Sequence, residues 1–285
     1  MSLDRHLKQV TPDPVLPVLQ ADGEPFELPY GQNVSGVLSR DVLGVAGVSA
    51  EGVTFGEITA VWSDWYNNLP QAGVIGLGPA RGGRSLLDLL AEQGRIPSRQ
   101  FGLWLGRDPA GGELTLGGLN EQRYRGPLTW ADLAPAAHSQ WTVAAQEVAF
   151  EGRPELSPCG GGAGCSVAPS SSTPYILLSR TNADAVNSAL GGTAFGSAGA
   201  VALDCTTLYR LPTVRLTVRG RTMQLSPLEY TFQLRFPNHM QMCISGFLGV
   251  GHLDDSSMML GTLFMQKFYT AYDAEGGRLG FADSA

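Results

Sequence analysis

Polar and apolar residues alternate along several stretches of this chain, in the pattern typical of β-strands. The alternation is clear over residues 53–59, 213–218 and 230–234. Successive side chains of a strand point to opposite faces, so a period of two predicts strands with one buried face. The short apolar run at residues 73–78 lies between glycines and predicts a buried strand. Glycines and prolines separate these stretches, as expected for turns.

Other segments carry more specific local patterns. Residues 26–31 and 34–39 are two strand-like runs around a short polar link, which predicts a β-hairpin. Residues 85–93 place four leucines at helical spacing, and Gly94 follows as a stop signal. A second short helix is predicted over residues 182–190, before a pair of glycines. Because helical patterns are so few, the sequence predicts a mostly-β protein.

The composition is that of a folded chain, and the charge argues against some classes of binding partner. Hydrophobic residues make up 43% and charged residues 16%, so the chain can bury a large core. The net charge of −7 predicts no nucleic-acid partner, because no basic surface is present to neutralise phosphates. No apolar run is long enough to cross a bilayer, which predicts no membrane span. The polar start lacks the apolar core of a signal peptide, so a secreted form is expected to need a leader that this chain does not contain.

All four cysteines lie in the second half of the chain. They are Cys159, Cys165, Cys205 and Cys243. An even number in a strand-rich chain is compatible with two disulfides, and equally with four reduced thiols buried as small hydrophobic residues. Because no C-x-x-C pair occurs and the four histidines are far apart, no metal site is predicted. No cofactor is predicted either.

A series of short motifs follows one another in a characteristic order along the chain. It begins at Tyr30-Gly31 with the strand-like run after it, and continues through the glycine-rich run 72–78. Further segments of the series are 111–118, 124–130, 203–205, 243–247, 260–264 and 278–282. In this order, and over residues 24–283, the series resembles the pepsin-like aspartic proteases. The resemblance implies the mostly-β, bilobal fold of that family, the double β-barrel of the acid proteases.

The resemblance also implies a division of the chain. Residues 1–23 are expected to form an irregular N-terminal arm, residues 24–130 an incomplete N-terminal lobe with the flap, and residues 131–285 the C-terminal lobe. A monomer without a membrane anchor is expected, binding a peptide or protein in the cleft between the lobes. The family implies a secreted or endolysosomal location.

Individual residues take their expected roles from the same resemblance. Tyr30 and Gly31 would belong to the flap that closes over a bound peptide, and Ser172 and Thr173 would line the cleft. Asn33 begins an Asn-x-Ser glycosylation signal at the flap. The implied disulfides join Cys159 to Cys165 and Cys205 to Cys243.

The chemistry of that family requires two aspartates. Two carboxylates share one proton around a water molecule, one acting as the base and the other as the acid, and each lies in an Asp-Thr/Ser-Gly turn. No such triplet occurs in the sequence. Ser170 stands at the position of the second aspartate and Ser172 at that of the glycine, while the first triplet is expected N-terminal to Tyr30, in strands that the chain is expected to lack. The sequence therefore predicts a chain without an intact catalytic pair.

Three functions follow from these observations and stay open at this point. The chain could be an aspartic endopeptidase, as the family implies, if the missing first aspartate exists in another isoform and another group replaces the acid at Ser170. It could be a pseudoprotease that holds extended peptides without cutting them. It could also be a truncated or degenerate product with no function of its own, since a lobe without its first strands exposes unpaired edges.

Overall fold

The computed structural model describes residues 20–27, 34–61, 73–79, 84–107, 111–135, 140–158, 164–196, 199–237 and 241–285. Within these ranges the chain forms five β-sheets and few helices, which confirms the predicted mostly-β class. None of these five described sheets closes into a barrel; each is an open series of paired strands. The chain forms two compact units, residues 1–99 and 100–285. The lobe boundary after residue 130 remains a prediction.

The first unit contains one antiparallel sheet. Its strands are β1 (Gln20–Glu27), β2 (Val34–Val45) and β3 (Val48–Val61), in that spatial order. Ala46 and Gly47 join β2 to β3 with φ angles of 52° and 84°, as a tight two-residue hairpin requires. β1 pairs with β2 so that Glu27 lies opposite Ser35. This pairing confirms the hairpin predicted from residues 26–39.

The first unit also contains the helix α1 (Leu86–Glu92). The Ser85 hydroxyl accepts a hydrogen bond from the Asp88 N–H at 3.1 Å, and the Asp88 carboxylate accepts one from the Ser85 N–H at 2.9 Å. This reciprocal capping box satisfies N–H groups that a helix start leaves unpaired. The four leucines that it buries are Leu86, Leu87, Leu89 and Leu90. Their helical spacing is the signal that predicted the element correctly.

The prediction for residues 73–78 is wrong. The segment forms no strand, and the side chains of Val74 and Ile75 are 73% and 46% exposed. An apolar run becomes a buried strand only when other strands and a core cover it. Among the described residues no strand pairs with this segment.

The second unit holds the other four sheets. Its strands in chain order are β4 (Gln100–Leu105), β5 (Gly112–Leu116), β6 (Tyr124–Asp132), β7 (Val143–Ala145), β8 (Glu147–Phe150), β9 (Cys165–Pro169), β10 (Ile176–Ser179), β11 (Thr193–Phe195), β12 (Ala200–Leu203), β13 (Val214–Val218), β14 (Arg221–Leu225), β15 (Thr231–Arg235), β16 (Gln241–Ser245), β17 (Phe247–Val250), β18 (Ser257–Leu260), β19 (Phe268–Asp273) and β20 (Arg278–Ser284). Its helices are α2 (Arg180–Ala189) and the short α3 (Thr262–Met265). The four sheets have the orders β5-β4-β19-β20-β6, β17-β10-β18-β9-β7, β11-β12-β16-β15 and β14-β13-β8.

One of these sheets places the loop that the sequence singled out. In the order β17-β10-β18-β9-β7, β18 lies between β10 and β9 and runs parallel to β9. Val167 on β9 and Leu178 on β10 are completely buried, and Leu260 on β18 is 2% exposed. These central strands are therefore packed on the core, and the loop between β9 and β10 leaves from their ends.

A second sheet shows how far-separated parts of the chain combine. Strand β19 lies between β4 and β20, with Thr270 opposite both Leu103 and Phe281. Phe101 on β4 stacks on Tyr272 of β19, with ring centroids 4.2 Å apart and planes at 6°. All six residues of β19 are buried, as expected for a central strand covered on both faces.

The helix α2 starts slightly earlier than its pattern predicts. Ser179 precedes it and accepts a hydrogen bond from the Asn182 N–H at 3.2 Å, so the helix begins at Arg180 rather than near Asn182. Asn187 reaches from α2 to the carbonyl of Phe247 at 3.1 Å, which holds the helix against β17. No helix among the described elements has the length and apolar character that crossing a membrane would require.

Candidate functional site

The loop of residues 170–175 joins β9 to β10 and is held by backbone hydrogen bonds. The Ser170 N–H donates to the Leu260 carbonyl at 2.9 Å, which continues the β9–β18 ladder by one step. On the other side of the loop, the Thr262 N–H donates to the Thr173 carbonyl at 2.9 Å. The loop is therefore clamped at both ends by the connection from β18 to α3.

Pro169 fits this strand although it has no N–H to donate. β18 receives the Ser170 N–H, so the nitrogen of Pro169 faces the opposite side, toward β7. β7 pairs with β9 only from Cys165 to Val167 and ends before Pro169. The proline therefore lies where the inner strand needs no donor.

Gly261 lets the two halves of this arrangement approach each other. A Cβ atom at this position would lie 2.1 Å from the carbonyl oxygen of Tyr175 and 2.6 Å from that of Thr173. Both neighbours are backbone atoms, which cannot rotate away as a flexible side chain can. A glycine is thus required here by close backbone contact, since its φ angle is an ordinary −72°.

The serines of the loop form a small hydroxyl pair. The Oγ atoms of Ser170 and Ser172 are 2.8 Å apart. Ser170 is half-buried, whereas Ser171 and Ser172 are exposed. Ser172 does not have a positive φ angle, so its backbone accepts a side chain where the resemblance expects a glycine. At the position expected for a carboxylate, this loop presents neutral hydroxyl groups.

Thr173 and Tyr175 complete the exit of the loop. The Thr173 hydroxyl accepts a hydrogen bond from the Tyr175 N–H at 3.2 Å. The Tyr175 ring then meets Phe232 of β15 edge-on, with centroids 5.0 Å apart. Sequence reasoning missed Tyr175 and Phe232, because residues so far apart in the chain share no local pattern.

The acidic pair Asp254-Asp255 stabilises a turn. Asp254 accepts hydrogen bonds from the Ser256 N–H at 2.9 Å and the Ser256 hydroxyl at 2.8 Å. Hydrogen bonds from Ser257 and Ser256 lower the pKa of Asp254. Asp255 accepts a hydrogen bond from the Ser179 hydroxyl. Across the described ranges, no three His, Cys, Asp or Glu residues cluster in a way that could hold a metal ion.

Glu229 is a second residue that sequence reasoning did not single out. Its carboxylate accepts hydrogen bonds from Lys267 at 2.6 Å, from Arg107 at 2.7 Å and from the Ser226 N–H at 2.8 Å. Burial acts to raise the pKa of Glu229, but the hydrogen bonds from Lys267 and Ser226, with the Lys267 charge, lower it overall. The spacing Ser226-x-x-Glu229 is the one local signal for this contact. Glu229 joins three separate loops of the second unit.

One implied disulfide is confirmed. Cys205 and Cys243 are bonded, with Cα atoms 5.4 Å apart, and the bond ties the turn after β12 to β16. Cys165 is also disulfide-bonded. Its implied partner, Cys159, lies outside the described residues, so that pairing stays a prediction.

The flap residues cannot be placed. Tyr30, Gly31 and Asn33 lie outside the described residues, between the ends of β1 and β2. Their expected roles in the flap and in glycosylation remain predictions. The cleft-lining role of Ser172 and Thr173 also remains a prediction.

Comparisons with known proteins agree on one family. A family model described as eukaryotic aspartyl protease matches residues 18–284. The chain is 28% identical to cathepsin E from Oryctolagus cuniculus over 270 residues, covering 91% of this chain and 66% of that protein. It is 28% identical to cathepsin D from Dictyostelium discoideum over 269 residues, covering 92% of this chain and 68% of that protein. It is 30% identical to Napsin-A from Homo sapiens over 269 residues, covering 89% of this chain and 61% of that protein. The chain thus spans about two thirds of the length of these relatives.

Proposed function

This chain belongs to the eukaryotic aspartyl protease family, and from that premise we propose that it binds extended peptides without cleaving them. The proposal separates two abilities that an aspartic protease combines. Cleavage needs a pair of carboxylates, whereas holding a peptide needs shaped backbone and apolar contacts. The described loop of residues 170–175 has an ordered backbone and presents hydroxyl groups rather than a carboxylate.

The observation that carries the proposal is the pair of hydroxyls at Ser170 and Ser172. Ser170 stands where the family has its second catalytic aspartate, and its Oγ atom lies 2.8 Å from that of Ser172. A dyad works because two close carboxylates share one proton, so that one is the acid and the other the base. A serine hydroxyl does not ionise in the acidic pH range in which such a pair of carboxylates works. It therefore cannot share the proton of the pair or deprotonate the water.

A serine-based mechanism lacks support as a substitute. A nucleophilic serine needs a base within hydrogen-bond reach. The described partners of the Ser170 side chain consist of the Ser172 hydroxyl, which is no stronger a base. No G-x-S-x-G motif occurs in the sequence either. The hydroxyl pair is therefore better suited to donating and accepting neutral hydrogen bonds.

The backbone geometry of the loop supports peptide binding. The bonds from Ser170 to Leu260 and from Thr262 to Thr173 use backbone atoms alone, so they do not depend on an acid at residue 170. Ser172 remains exposed at the tip of the loop, with Thr173 half-buried behind it. Exposed hydroxyls on a rigid loop can bind the backbone of an extended peptide by strand-like hydrogen bonds.

The disulfide supports an oxidising compartment. Bonds such as Cys205–Cys243 form and persist mainly in secreted or luminal proteins. We therefore propose a secreted or endolysosomal location, with a peptide or protein as the partner and the monomer as the binding unit.

The test combines a cleavage assay and a binding assay on the same preparation. Fluorogenic peptides are incubated with the chain between about pH 3 and pH 5, the range in which such dyads titrate. Labelled extended peptides are then measured for binding by fluorescence anisotropy, with Ser172→Trp as a variant that fills the exposed tip. The expected result is no turnover, and binding that Ser172→Trp weakens. Pepstatin-sensitive turnover would show an active protease, and absence of any peptide binding would favour a product without function.

A further inference from the structure

Strand β15 is the outermost strand of the sheet β11-β12-β16-β15. Residues Gln233 to Phe236 are all exposed, and the side chains of Leu234 and Phe236 are 43% and 42% exposed. Proteins usually shorten, charge or cover such an edge, because its unpaired backbone groups attract another strand. An outer strand with exposed apolar side chains indicates an interaction surface.

The hydrogen-bond pattern shows which backbone groups face outward. The Gly246 N–H donates to the Tyr230 carbonyl at 2.8 Å, so Tyr230 points toward β16. In an antiparallel pair this direction alternates along the strand. Phe232 and Leu234 therefore also bond to β16, while the N–H and C=O groups of Gln233 and Arg235 point away from the sheet.

The two faces of β15 differ in character. Cys243 and Ser245 of β16 are buried, and they lie opposite Gln233 and Thr231 on the inner face of the sheet. The other face carries Phe232 and Leu234 of β15, opposite Ile244 and Met242, which are half-exposed. This outer face is thus a continuous apolar surface that begins at the open edge.

The start of the edge is already covered by the chain. Thr231 is only 4% exposed, and its hydroxyl donates to the Pro227 carbonyl at 2.8 Å. The Gln233 side-chain amide donates to the Leu228 carbonyl at 3.4 Å. The turn at Pro227 and Leu228 therefore lies beside the first residue of the strand. The accessible edge extends from Gln233 to Phe236.

This length argues against a second copy of the chain as the occupant. Two β15 strands paired about Gln233 would place Arg235 of each opposite the covered Thr231 of the other. Pairing about Leu234 would place Pro237, which has no N–H, opposite Thr231. Pairing about Arg235 would place the two positively charged Arg235 side chains directly opposite each other, which is destabilising. A single extended segment can instead pair with residues 233–236 and end before the turn.

The edge is continuous with the loop of residues 170–175. Phe232 contacts the Tyr175 ring at 5.0 Å between centroids, and Tyr175 follows Thr173 by two residues. A peptide held at the loop can therefore continue over these rings onto β15. This step rests on the proposed peptide-binding function.

We propose that the outer edge of β15, from Gln233 to Phe236, is a binding site for an extended peptide segment that adds to the sheet as an antiparallel strand. Alternate apolar side chains of the peptide lie on the face formed by Phe232, Leu234 and Phe236. An acidic side chain on the opposite face pairs with Arg235, which is exposed and the only charged residue of the open edge. Main-chain bonds supply affinity and the alternating contacts supply specificity.

The test uses an eight-residue synthetic peptide that alternates valine with threonine and carries one central glutamate. Binding is measured by fluorescence anisotropy with intact disulfides. Leu234→Ser is compared with Phe195→Ser, a matched control because Phe195 is 44% exposed on β11, at the opposite edge of the same sheet. Loss of a buried leucine contact is expected to weaken binding about tenfold in Leu234→Ser, with little change in Phe195→Ser.

Backbone and charge probes give independent readouts. N-methylation of the peptide residues that face β15 should abolish binding, and N-methylation of the alternate residues should not. Arg235→Glu should weaken binding of the glutamate peptide. It should strengthen binding of the same peptide when lysine replaces its glutamate. Circular dichroism and melting curves establish that each variant is folded.

Several outcomes would overturn the proposal. Equal binding by Leu234→Ser and the wild-type chain, while Ser172→Trp still weakens binding, would leave peptide binding at the loop intact and disprove the β15 site. A dimer in light scattering that Leu234→Ser dissociates would assign the edge to a second copy of the chain. Failure of the wild-type chain to bind any peptide would overturn both the β15 site and the proposed function.

Discussion

The Ser170 N–H and the Leu260 carbonyl oxygen are joined by a hydrogen bond of 2.9 Å, at the point where β9 ends and the loop begins. This bond uses only backbone atoms. It therefore holds the loop in place whether residue 170 carries a carboxylate or a hydroxyl. Loop geometry and catalytic chemistry are separable here, and that separation makes a binding protein with this fold physically reasonable.

The substitution Ser170→Asp alone is expected to leave peptide turnover at background. One carboxylate cannot share a proton with a partner, and the sequence contains no Asp-Thr/Ser-Gly triplet to supply the second. Turnover of fluorogenic peptides from about pH 3 to pH 5 measures this, with Ser171→Asp as the neighbouring control. Pepstatin-sensitive cleavage by Ser170→Asp would mean that the chain supplies a second carboxylate. The assignment of the residues around Ser170 to the catalytic site would then need revision.

The substitution Gly261→Ala is expected to destabilise the second unit by about 3 kcal/mol or to prevent its folding. The new methyl group would lie 2.1 Å from the Tyr175 carbonyl oxygen, so the loop or β18 would have to move. Urea unfolding followed by tryptophan fluorescence measures the loss. Gly118→Ala is the control, because a Cβ atom there meets nothing within 4 Å. Equal stability of the two variants would show that the β18–loop contact adapts easily.

Removal of the Cys205–Cys243 bond by a double substitution to alanine is expected to cost about 4 kcal/mol. The bond closes a loop with a sequence separation of 38, which restricts the unfolded chain. Thermal unfolding of the double variant, compared with the wild-type chain under the same non-reducing conditions, measures the effect. A change below about 1 kcal/mol would mean that the unfolded chain is already compact in this region.

Glu229 is expected to make stability depend on pH. Its pKa in the folded chain is below the ordinary value of 4.5, so its contribution is fully present above that pH. The contribution is lost as pH falls through the lowered pKa, because protonation removes the charge that Lys267 and Arg107 bind. Glu229→Gln should lower stability at neutral pH by about 2 kcal/mol and should flatten the fall in acid.

Melting temperatures between neutral and strongly acidic pH give this profile. Glu155→Gln is the control, since the Glu155 side chain is 60% exposed and its nearest cation, Arg153, lies at 3.6 Å. Parallel profiles for the wild-type chain and Glu229→Gln would contradict the assigned role.

Local patterns predicted the elements whose stability is local. Helix α1 follows from the spacing of its leucines and from Ser85 and Asp88, which lie three residues apart and cap each other. The hairpin of β1 and β2 follows from two alternating runs with a short link. Residues 73–78 carry a similar apolar signal, yet Val74 and Ile75 are exposed, because a strand also needs partners that the segment itself does not contain.

The mostly-β class and the absence of an Asp-Thr/Ser-Gly triplet can be read from the sequence, because each depends on residue identity and local order. The surroundings of Ser170 could be known only once the chain was folded. The close approach of Gly261 to Tyr175, the contact of Tyr175 with Phe232 and the bond of Arg107 to Glu229 join parts of the chain far apart in sequence; the last pair is separated by 122 residues. Such contacts arise from the packing of whole sheets, and no local pattern of side chains records which distant residue will meet which.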